Sequence, residues 1–303
     1  MQTVLITGGT GLVGGRLSRM LKERGYKVIH LSRTENMNST FPAYKWDVDK
    51  GEVDNRALEQ ADYIVHLAGA GVADKPWTRK QKEIIINSRV KSGALLQQKL
   101  KEIGQRPKAV ICASASGYYG DRGGQLLDET ASKGSGFLAE VVEKWEAAND
   151  GFSEVTDRVA QLRIGIVLST NGGALEKMLP TYKVRVGTYF GSGEQFYSWI
   201  HIDDLANMFI HAIESEKVSG TYNAVAPNPV TNKRLAEAIG EGMGRSAVLV
   251  PAPAMAMRLA MGEMSSIVLE GVRLCSNKIE HTGFKFLYED VAYALRDVIE
   301  RKI

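Results

Sequence analysis

The sequence predicts an α/β fold: a doubly wound parallel sheet of the Rossmann type, followed by a smaller C-terminal substrate domain. Three observations favour this class. Short apolar runs alternate with helix-period segments through the first half of the chain, which is typical of βαβ units. A glycine-rich turn joins the first apolar run to the first helical segment. The alternation ends near Ser169, after which glycine and proline residues punctuate the chain.

The first βαβ unit has the clearest pattern. Thr3–Thr7 is a short apolar run and predicts a buried strand. Apolar residues then recur on one face of a helix, at Val13, Leu17, Met20 and Leu21. Gly25 follows as the expected C-terminal cap of that helix. Lys27–Leu31 is the predicted second strand.

Later elements follow from the same patterns. Further strands are predicted at Tyr44–Trp46, Tyr63–Leu67, Ala109–Ala113 and Val159–Val167. Helices are predicted at Arg79–Ile103, in one part or two, at Phe137–Ala148 and at Asp203–Glu214. Asp203 or Asp204 is the expected N-cap of the last one. Four methionines between Met255 and Met264 favour a core-packing helix over an adaptable lid on an apolar substrate.

Composition excludes several classes of protein. The chain has 303 residues, 44% hydrophobic and 24% charged, with a net charge of +3. Its cations are dispersed, so we expect no nucleic-acid partner. No run approaches the ~18 apolar residues of a membrane-spanning helix, so we expect no membrane partner. Cys112 and Cys275 form no CxxC pair, and no signal-peptide pattern precedes the first strand, which favours a cytoplasmic protein. A homodimer is left open.

The glycine-rich turn predicts a dinucleotide site. Gly8 allows a tight turn, Gly11 lets backbone amides approach a pyrophosphate, and Gly14 lets the helix pack on the strand. The positive end of the helix dipole attracts the anion. The cofactor contacts expected from this turn are Gly8, Thr10, Gly11, Leu12, Val13 and Gly14. The strand-turn-helix context makes incidental glycines the weaker alternative.

The end of the second strand indicates which dinucleotide binds. An NAD site would place Asp or Glu here to accept hydrogen bonds from the ribose hydroxyls. This chain has Ser32 and Arg33 instead, and a guanidinium can pair with a 2′-phosphate. Glu35 nearby argues against this assignment, and a solvated arginine is the alternative. NADP(H) is the expected cofactor.

These residues resemble the short-chain dehydrogenase/reductase superfamily, in its extended, epimerase-like branch. The matching segments are the Gly8, Gly11 and Gly14 spacing, Trp46-Asp47-Val48, His66-Leu67-Ala68-Gly69-Ala70-Gly71 and Trp199-Ile200-His201-Ile202-Asp203-Asp204. The resemblance implies that Asp47 and Val48 hold the adenine ring. It also implies that Leu67, Ala68 and Gly69 pass under the nicotinamide-side ribose.

A narrower resemblance runs nearly end to end. The chain is similar to the atypical NAD-dependent epimerase/dehydratase-like subfamily that contains the bacterial YfcH protein. The matching segments are Pro76-Trp77-Thr78, Ser88-Arg89, Ser114–Gly120, Lys144-Trp145-Glu146, Leu162–Ser169, Asn223–Pro229 and Gly283–Phe286. The resemblance implies a cofactor contact for Ser88. It implies no settled reaction.

The superfamily's usual catalytic pair is absent. That pair is Tyr-x-x-x-Lys, in which the lysine lowers the pKa of the tyrosine. None of the eleven tyrosines has a lysine four residues later. Phe137 and Val141 stand in the helix where the pair belongs, and a phenylalanine cannot transfer a proton.

Three hydroxyl groups are the remaining catalytic candidates. Ser114 and Ser116 follow a strand where the superfamily places a hydrogen-bonding serine or threonine, although turn chemistry explains them equally well. Tyr119 is an alternative acid if a cation such as Arg122 or Arg89 lies beside it, and aromatic packing against the cofactor is the other interpretation.

Two functions therefore remain after the sequence is considered. The first is an NADP(H)-dependent reductase or epimerase acting on a small carbonyl or sugar-like molecule. The second is a non-catalytic NADPH-binding sensor or scaffold. We expect no metal at His201 and its two aspartates, because a helix cap explains the aspartates more simply and no HExxH or paired CxxC pattern is present. We expect residues 1–168 to form the NADP-binding domain, with part of 200–226 packing back on it, and 169–303 to form mainly the substrate side.

Overall fold

The computed structural model describes all residues, 1–303, as alternating strands and helices. The strands are β1 Thr3–Thr7, β2 Lys27–Ser32, β3 Ala43–Asp47, β4 Glu52–Val53, β5 Tyr63–His66, β6 Ala109–Ala115, β7 Leu126–Leu127, β8 Val159–Ile164, β9 Ile166–Leu168, β10 Val186–Phe190, β11 Phe196–Tyr197, β12 Trp199–His201, β13 Gly220–Ala224, β14 Val230–Thr231, β15 Val248–Ala252 and β16 Arg273–Leu274. The helices are α1 Leu12–Glu23, α2 Asn55–Glu59, α3 Arg79–Ile103, α4 Phe137–Asp150, α5 Gly173–Lys183, α6 Ile202–Glu214, α7 Asn232–Gly242, α8 Ala254–Met261, α9 Ser266–Leu269, α10 Asn277–Glu280 and α11 Val291–Arg301.

Eight strands form the central sheet, in the order β13-β8-β6-β5-β1-β2-β3-β4. Every neighbouring pair is parallel except β3 with β4. The order of strands along the chain reverses between β1 and β5. In open α/β sheets, ligands bind in the crevice outside the carboxyl ends of the strands at this reversal. The predicted Rossmann-type fold is confirmed.

Both faces of the sheet are covered by helices, so its inner strands are buried and mostly apolar. Val4 and Ile6 pack against Leu17 of α1 and Phe209 of α6. The intervening Leu5 belongs to a second core on the opposite face, together with side chains of α2 and α3. This burial on two faces explains why Thr3–Thr7 carries no polar alternation.

Helix α3 is one continuous helix, which settles the choice between one part and two. Its N-cap is Thr78, whose hydroxyl accepts a hydrogen bond from the Gln81 N–H at 3.2 Å. It ends at Gly104, which has φ +69 and closes the helix in the left-handed conformation that glycine adopts without strain. Although α3 is long, neither it nor any other helix combines length and apolar character sufficient to cross a membrane.

The prediction of a single strand over Val159–Val167 is wrong. β8 ends at Ile164 and stays in the central sheet, whereas β9 begins at Ile166 and pairs with β12. Gly165 makes the crossing between them. A Cβ at Gly165 would lie 2.3 Å from the carbonyl oxygen of Ser198, so only glycine allows this close approach.

The predicted N-cap of α6 is also wrong. His201 is the cap, since its Nδ1 accepts a hydrogen bond from the Asp203 N–H at 3.0 Å. The Asp203 carboxylate instead binds Arg16 of α1 at 2.6 Å and Arg301 of α11 at 2.9 Å. The Asp204 carboxylate accepts two backbone N–H groups of the C-terminal segment. Both carboxylates therefore join the sheet domain to the end of the chain.

The core-packing interpretation of the methionine-rich segment is wrong for most of its length. Helix α8 has no buried residue, and Met255 and Leu259 are 74% and 83% exposed. Of the four methionines, only Met264, in the short turn that follows, is buried. The hydrophobic pattern of an exposed apolar helix does not differ from that of a buried one, so the sequence could not distinguish the two cases.

The contact between α1 and the glycine turn gives a first testable prediction. A Cβ at Gly14 would lie 2.4 Å from Gly8 O, so Gly14→Ala must displace backbone. We expect the free energy of unfolding to fall by about 1–3 kcal/mol. Gly15→Ala is the matched control, because a Cβ there meets only Gly9 O at 3.8 Å. Urea unfolding should show the control unchanged or up to ~1 kcal/mol more stable. Equal effects of the two alanines would contradict the packing argument.

Candidate functional site

The glycine turn between β1 and α1 leaves backbone N–H groups free at the start of the helix. Gly8 has φ +70, and a Cβ there would press on the backbone of Leu67 at 3.1 Å. The N-cap of α1 is Gly11, which provides no side-chain acceptor, and the first turn holds no acidic residue. The amides and the positive end of the helix dipole are thus available to an anion.

The His30 side chain packs against this turn and is linked to it through Ser18. Its Nε2 lies 2.8 Å from the Ser18 hydroxyl, and that hydroxyl donates to Gly14 O at 2.7 Å. Since the hydroxyl has used its proton, Nε2 must carry the proton that links the two side chains. Burial lowers the pKa of His30 to about 4, so the ring is neutral. A Cβ at Gly9 would lie 2.4 Å from Nε2, which leaves room only for glycine.

A second buried histidine holds the loop that follows β5. The Thr7 hydroxyl accepts hydrogen bonds from the N–H groups of Leu67 and Ala68, each at 3.1 Å, and contacts His66 Nδ1 at 2.8 Å. His66 Nε2 lies 3.2 Å from the Ser92 hydroxyl, which itself donates to a backbone carbonyl. Thr7 therefore donates to Nδ1, and Nε2 donates to Ser92.

A cavity of about 920 Å³ extends from this turn across the carboxyl ends of β1, β2 and β3. The predicted cofactor residues that line it are Gly8, Thr10, Gly11, Ser32, Arg33, Asp47, Val48, Leu67, Ala68, Gly69 and Ser88. The structure thus brings together residues from five separate segments of the chain. The Ser88 hydroxyl accepts a hydrogen bond from the Ala70 N–H at 2.9 Å, so it also fixes the loop that forms the cavity wall.

Arg33 projects at the exposed end of β2 in this cavity. Glu35, whose presence argued against a phosphate site, lies 3.2 Å from Arg56. No ion pair joins Glu35 to Arg33. The guanidinium of Arg33 is therefore free to pair with a ligand.

A second cavity of about 640 Å³ adjoins the first and shares Gly8, Gly11 and Leu67 with it. We call it the substrate-side cleft. Its lining includes Leu12, Val13 and Gly14 from the turn, and Ser114 and Ser116 from the end of β6. Its apolar wall includes Trp77, Phe137, Val141, Trp145, Phe196 and Ile267. The glycine turn thus lies between two connected compartments.

The structure separates the three candidate catalytic hydroxyls. Ser114 is 2% exposed, and its hydroxyl donates a hydrogen bond to the Glu146 carboxylate at 2.5 Å. Ser116 lines the cleft, and its hydroxyl makes no hydrogen bond to the protein. Tyr119 is fully buried outside the cleft lining and donates to Asn223 at 2.7 Å. The catalytic role of Tyr119 stays a prediction, and the geometry favours Ser116.

The cation beside the Tyr119 phenol is Arg163, whereas Arg122 donates only to the backbone carbonyl of Tyr119. Arg163 Nη1 donates to the Tyr119 phenol oxygen at 2.8 Å, and its guanidinium also forms a buried ion pair with Glu146 at 2.7 Å. Burial raises the pKa of Tyr119 to about 12 despite this cation, so the phenol keeps its proton. The sequence did not predict the ion pair of Glu146 with Arg163, because the two residues are 17 positions apart, on α4 and β8, and meet only through tertiary packing.

Fold and site together define a Rossmann-type protein of the short-chain dehydrogenase/reductase class. Residues 4–139 match the model of the NAD dependent epimerase/dehydratase family, and residues 252–298 match a domain of unknown function, DUF1731. An epimerase family protein of Staphylococcus aureus is 34% identical over 301 residues, covering 99% of this chain and 100% of that protein. One of Mycobacterium bovis is 34% identical over 96% of both chains. The chain belongs to the NAD-dependent epimerase/dehydratase family.

Solved structures give the same assignment. The human epimerase family protein SDR39U1, crystallised with NADPH, superposes with a TM-score of 0.87 at 31% identity and 99% coverage of both chains. A nucleoside-diphosphate sugar epimerase from Corynebacterium glutamicum gives 0.78 at 35% identity, over 98% of this chain and 58% of that one. A UDP-N-acetylglucosamine 4-epimerase from Bacillus cereus, at 18% identity and 0.79, shares the fold.

The buried His66 predicts a pH-dependent stability. Burial lowers its pKa to about 4, below the ~6.5 of an unfolded histidine. The unfolded state therefore binds a proton first as the pH falls, and stability is lost between about pH 6.5 and pH 4. We expect His66→Gln to remove about 2 kcal/mol of the decrease in unfolding free energy between pH 7.5 and pH 5. Urea unfolding at both pH values measures it.

The exposed His281 supplies the control for this experiment. His281→Gln should retain the full wild-type dependence on pH. An unchanged dependence in His66→Gln would show that His66 does not titrate as its burial requires.

Proposed function

We propose that this protein binds NADP(H) and acts as a reductase or epimerase on a small carbonyl or sugar-like molecule. The observation that carries the proposal is the glycine turn at the junction of the two cavities, with Arg33 at the far end of one and Ser116 in the other. The extended groove fits a dinucleotide whose pyrophosphate lies at the start of α1. The NADPH bound to human SDR39U1 supports the choice of cofactor.

The chain's contribution to this chemistry is positioning. The bound cofactor would supply or accept hydride. Thr7 and His66 fix the loop at Leu67, and the glycine turn fixes the backbone amides, so the two compartments keep one relative geometry. Ser116 donates a hydrogen bond to the carbonyl oxygen of the substrate and stabilises the charge that develops on it. Phe137 and Val141 exclude water from that region of the cleft.

Arg33 provides the test of cofactor choice. Loss of one charge-assisted phosphate contact costs on the order of 1–3 kcal/mol, so Arg33→Ala should weaken NADPH binding by about 5- to 150-fold. NADH binding should change little, because NADH lacks the 2′-phosphate. Arg106→Ala is the control, since Arg106 pairs with Asp157 at the opposite edge of the sheet. Fluorescence titration measures all affinities. Equal NADPH affinity in wild type and Arg33→Ala would refute the phosphate contact.

Ser116 provides the test of catalysis. We expect wild-type protein to oxidise NADPH with at least one member of a panel of small aldehydes, ketones and keto sugars. Ser116→Ala should lower kcat by about 10²-fold or more, with NADPH affinity unchanged, because a lost donor to the developing charge acts in the transition state. Ser246→Ala, on an exposed loop, is the control. Wild-type activity in Ser116→Ala would remove this residue from the mechanism.

A second candidate function is a non-catalytic NADPH sensor. The specific observation in its favour is the substitution of the usual proton-transfer pair by Phe137 and Val141, both of which line the cleft. Tight NADPH binding with no turnover on any panel member would favour it over the enzyme.

Three further assignments belong to this proposal. We assign the cofactor to residues 1–168 and mainly substrate-side contacts to 169–303, because β13 returns to the sheet while Phe196–Ser198 and six residues between Glu263 and Val272 complete a cleft whose other wall belongs to 1–168. We also assign the protein to the reducing cytoplasm, since Cys112 and Cys275 are free thiols. The homodimer stays a prediction for a light-scattering measurement.

A further inference from the structure

Arg89 is a buried cation without a carboxylate partner. Its side chain projects from α3, the residue is only 8% exposed, and no ion pair reaches it. Nη1 donates to the carbonyl oxygens of Ala70 at 3.0 Å and Ile85 at 2.9 Å. Nε is sealed from solvent with no hydrogen-bond acceptor, and Nη2 makes no hydrogen bond. Buried guanidinium groups are normally paired, so this one lacks its counter-charge.

Trp145 is a second unsatisfied donor at the same place. The Arg89 guanidinium lies 4.8 Å from the centre of the Trp145 ring, a cation–π contact. Trp145 is 6% exposed, and its Nε1 is also buried without an acceptor. Both residues line the substrate-side cleft. Arg89 Nε and Trp145 Nε1 are sealed from the cleft, so Nη2 of Arg89 is the free donor that a group of opposite charge in the cleft can reach.

The rest of the cleft determines what can carry that group. More than half of its lining residues are hydrophobic, and Arg89 is its only cation. Its other charged lining residues are Glu263 and Glu270 on the C-terminal segment, and Glu263 is paired with Lys82. A nucleoside diphosphate would bring at least two negative charges into a compartment that offers one cation and two carboxylates. A ligand with one negative charge and an apolar body matches this surface.

We infer that the substrate of this protein is a small, mostly apolar monoanion, such as a carboxylate, whose charged oxygens pair with Nη2 of Arg89, while the Trp145 ring positions the guanidinium. The inference rests on the proposed function for the identity of the cleft as the substrate site. It separates this chain from the sugar nucleotides named for several members of the fold. Burial lowers the pKa of Arg89 to about 10, so the side chain remains charged at neutral pH.

Matched carboxylates and amides test the inference. The probes are benzoate with benzamide, phenylacetate with phenylacetamide, and hexanoate with hexanamide, titrated calorimetrically into the full-length protein with and without saturating NADP⁺. Wild-type protein should bind at least one carboxylate at least tenfold more tightly than its amide. UDP-glucose should bind more weakly than that carboxylate. Either the absence of any carboxylate preference or tighter binding of UDP-glucose overturns the inference.

Variants assign the preference to its residues. Arg89→Met should abolish the preference for carboxylate over amide, and Arg89→Lys should keep part of it. Trp145→Phe should weaken carboxylate binding about threefold or more while leaving the amide unchanged, because the weaker cation–π contact holds the Arg89 guanidinium less firmly. Arg106→Met, at the other end of the sheet, should behave as wild type. A preference that survives in Arg89→Met, or one that Arg89→Lys and Trp145→Phe both leave intact, refutes the assignment. If Arg89→Met does not fold, the Lys and Phe variants decide.

NADPH affinity distinguishes the possible sources of the anion. Arg89→Met should bind NADPH within about fivefold of wild type, because it loses only one hydrogen bond to the loop of the cofactor cavity, at Ala70 O, and the pyrophosphate lies at the start of α1. A tenfold loss of NADPH affinity with an unchanged carboxylate preference would assign Arg89 to the cofactor and overturn the inference. Failure of wild-type protein to bind NADPH would refute the proposed function alone, because the carboxylate preference is also measured without cofactor.

Discussion

The structure depends on the close approach of α1 to the end of β1. Gly14 brings the helix against Gly8 with no side chain between them, and this contact aims the first turn of α1 into the crevice of the sheet. Thr7, the last residue of β1, ties the loop after β5 to the same point through two backbone amides. The two walls of the groove are therefore fixed at one place, and both cavities open from it. A change at this contact would alter cofactor and substrate compartments together.

The centre where the superfamily performs proton transfer has a different construction here. Glu146 and Arg163 form a buried ion pair. Glu146 accepts a hydrogen bond from the Ser114 hydroxyl, and Arg163 donates one to the Tyr119 oxygen. Removing one member of such a pair leaves an uncompensated charge and typically costs 3–5 kcal/mol, so the cluster constrains the position of β6 against α4 and β8. These polar groups are saturated by one another. Free donors on the cleft side are left at the Ser116 hydroxyl and at Nη2 of Arg89.

The sequence was informative where a local pattern determines the structure. Thr3–Thr7 and the glycine spacing sit in one strand-turn-helix unit, and the whole of the predicted cofactor set returns as the lining of the two cavities. Elements set by distant contacts were not predictable. β8 ends before Gly165, where the carbonyl oxygen of Ser198 lies too close for any side chain. His201 caps α6, since the Asp203 carboxylate is occupied by hydrogen bonds from Arg16 and Arg301. The sequence also could not predict that Arg89 lacks a carboxylate partner, because this follows only from the packing of α3 on α4.

The C-terminal segment explains how one cofactor site can serve different substrates in this class of protein. Residues 268–274 are held by hydrogen bonds to the strip at 195–198: Gln195 and Tyr197 donate to Val268 O, and Ser198 donates to Val272 O. These hydrogen bonds keep the segment that carries Glu270, and the adjoining Ile267, in the lining of the substrate-side cleft. None of these contacts involves the turn itself. Substitutions in the segment can therefore change the charge and shape of the cleft while the cofactor groove stays intact, so the glycine turn of this chain constrains the cofactor more narrowly than the reaction.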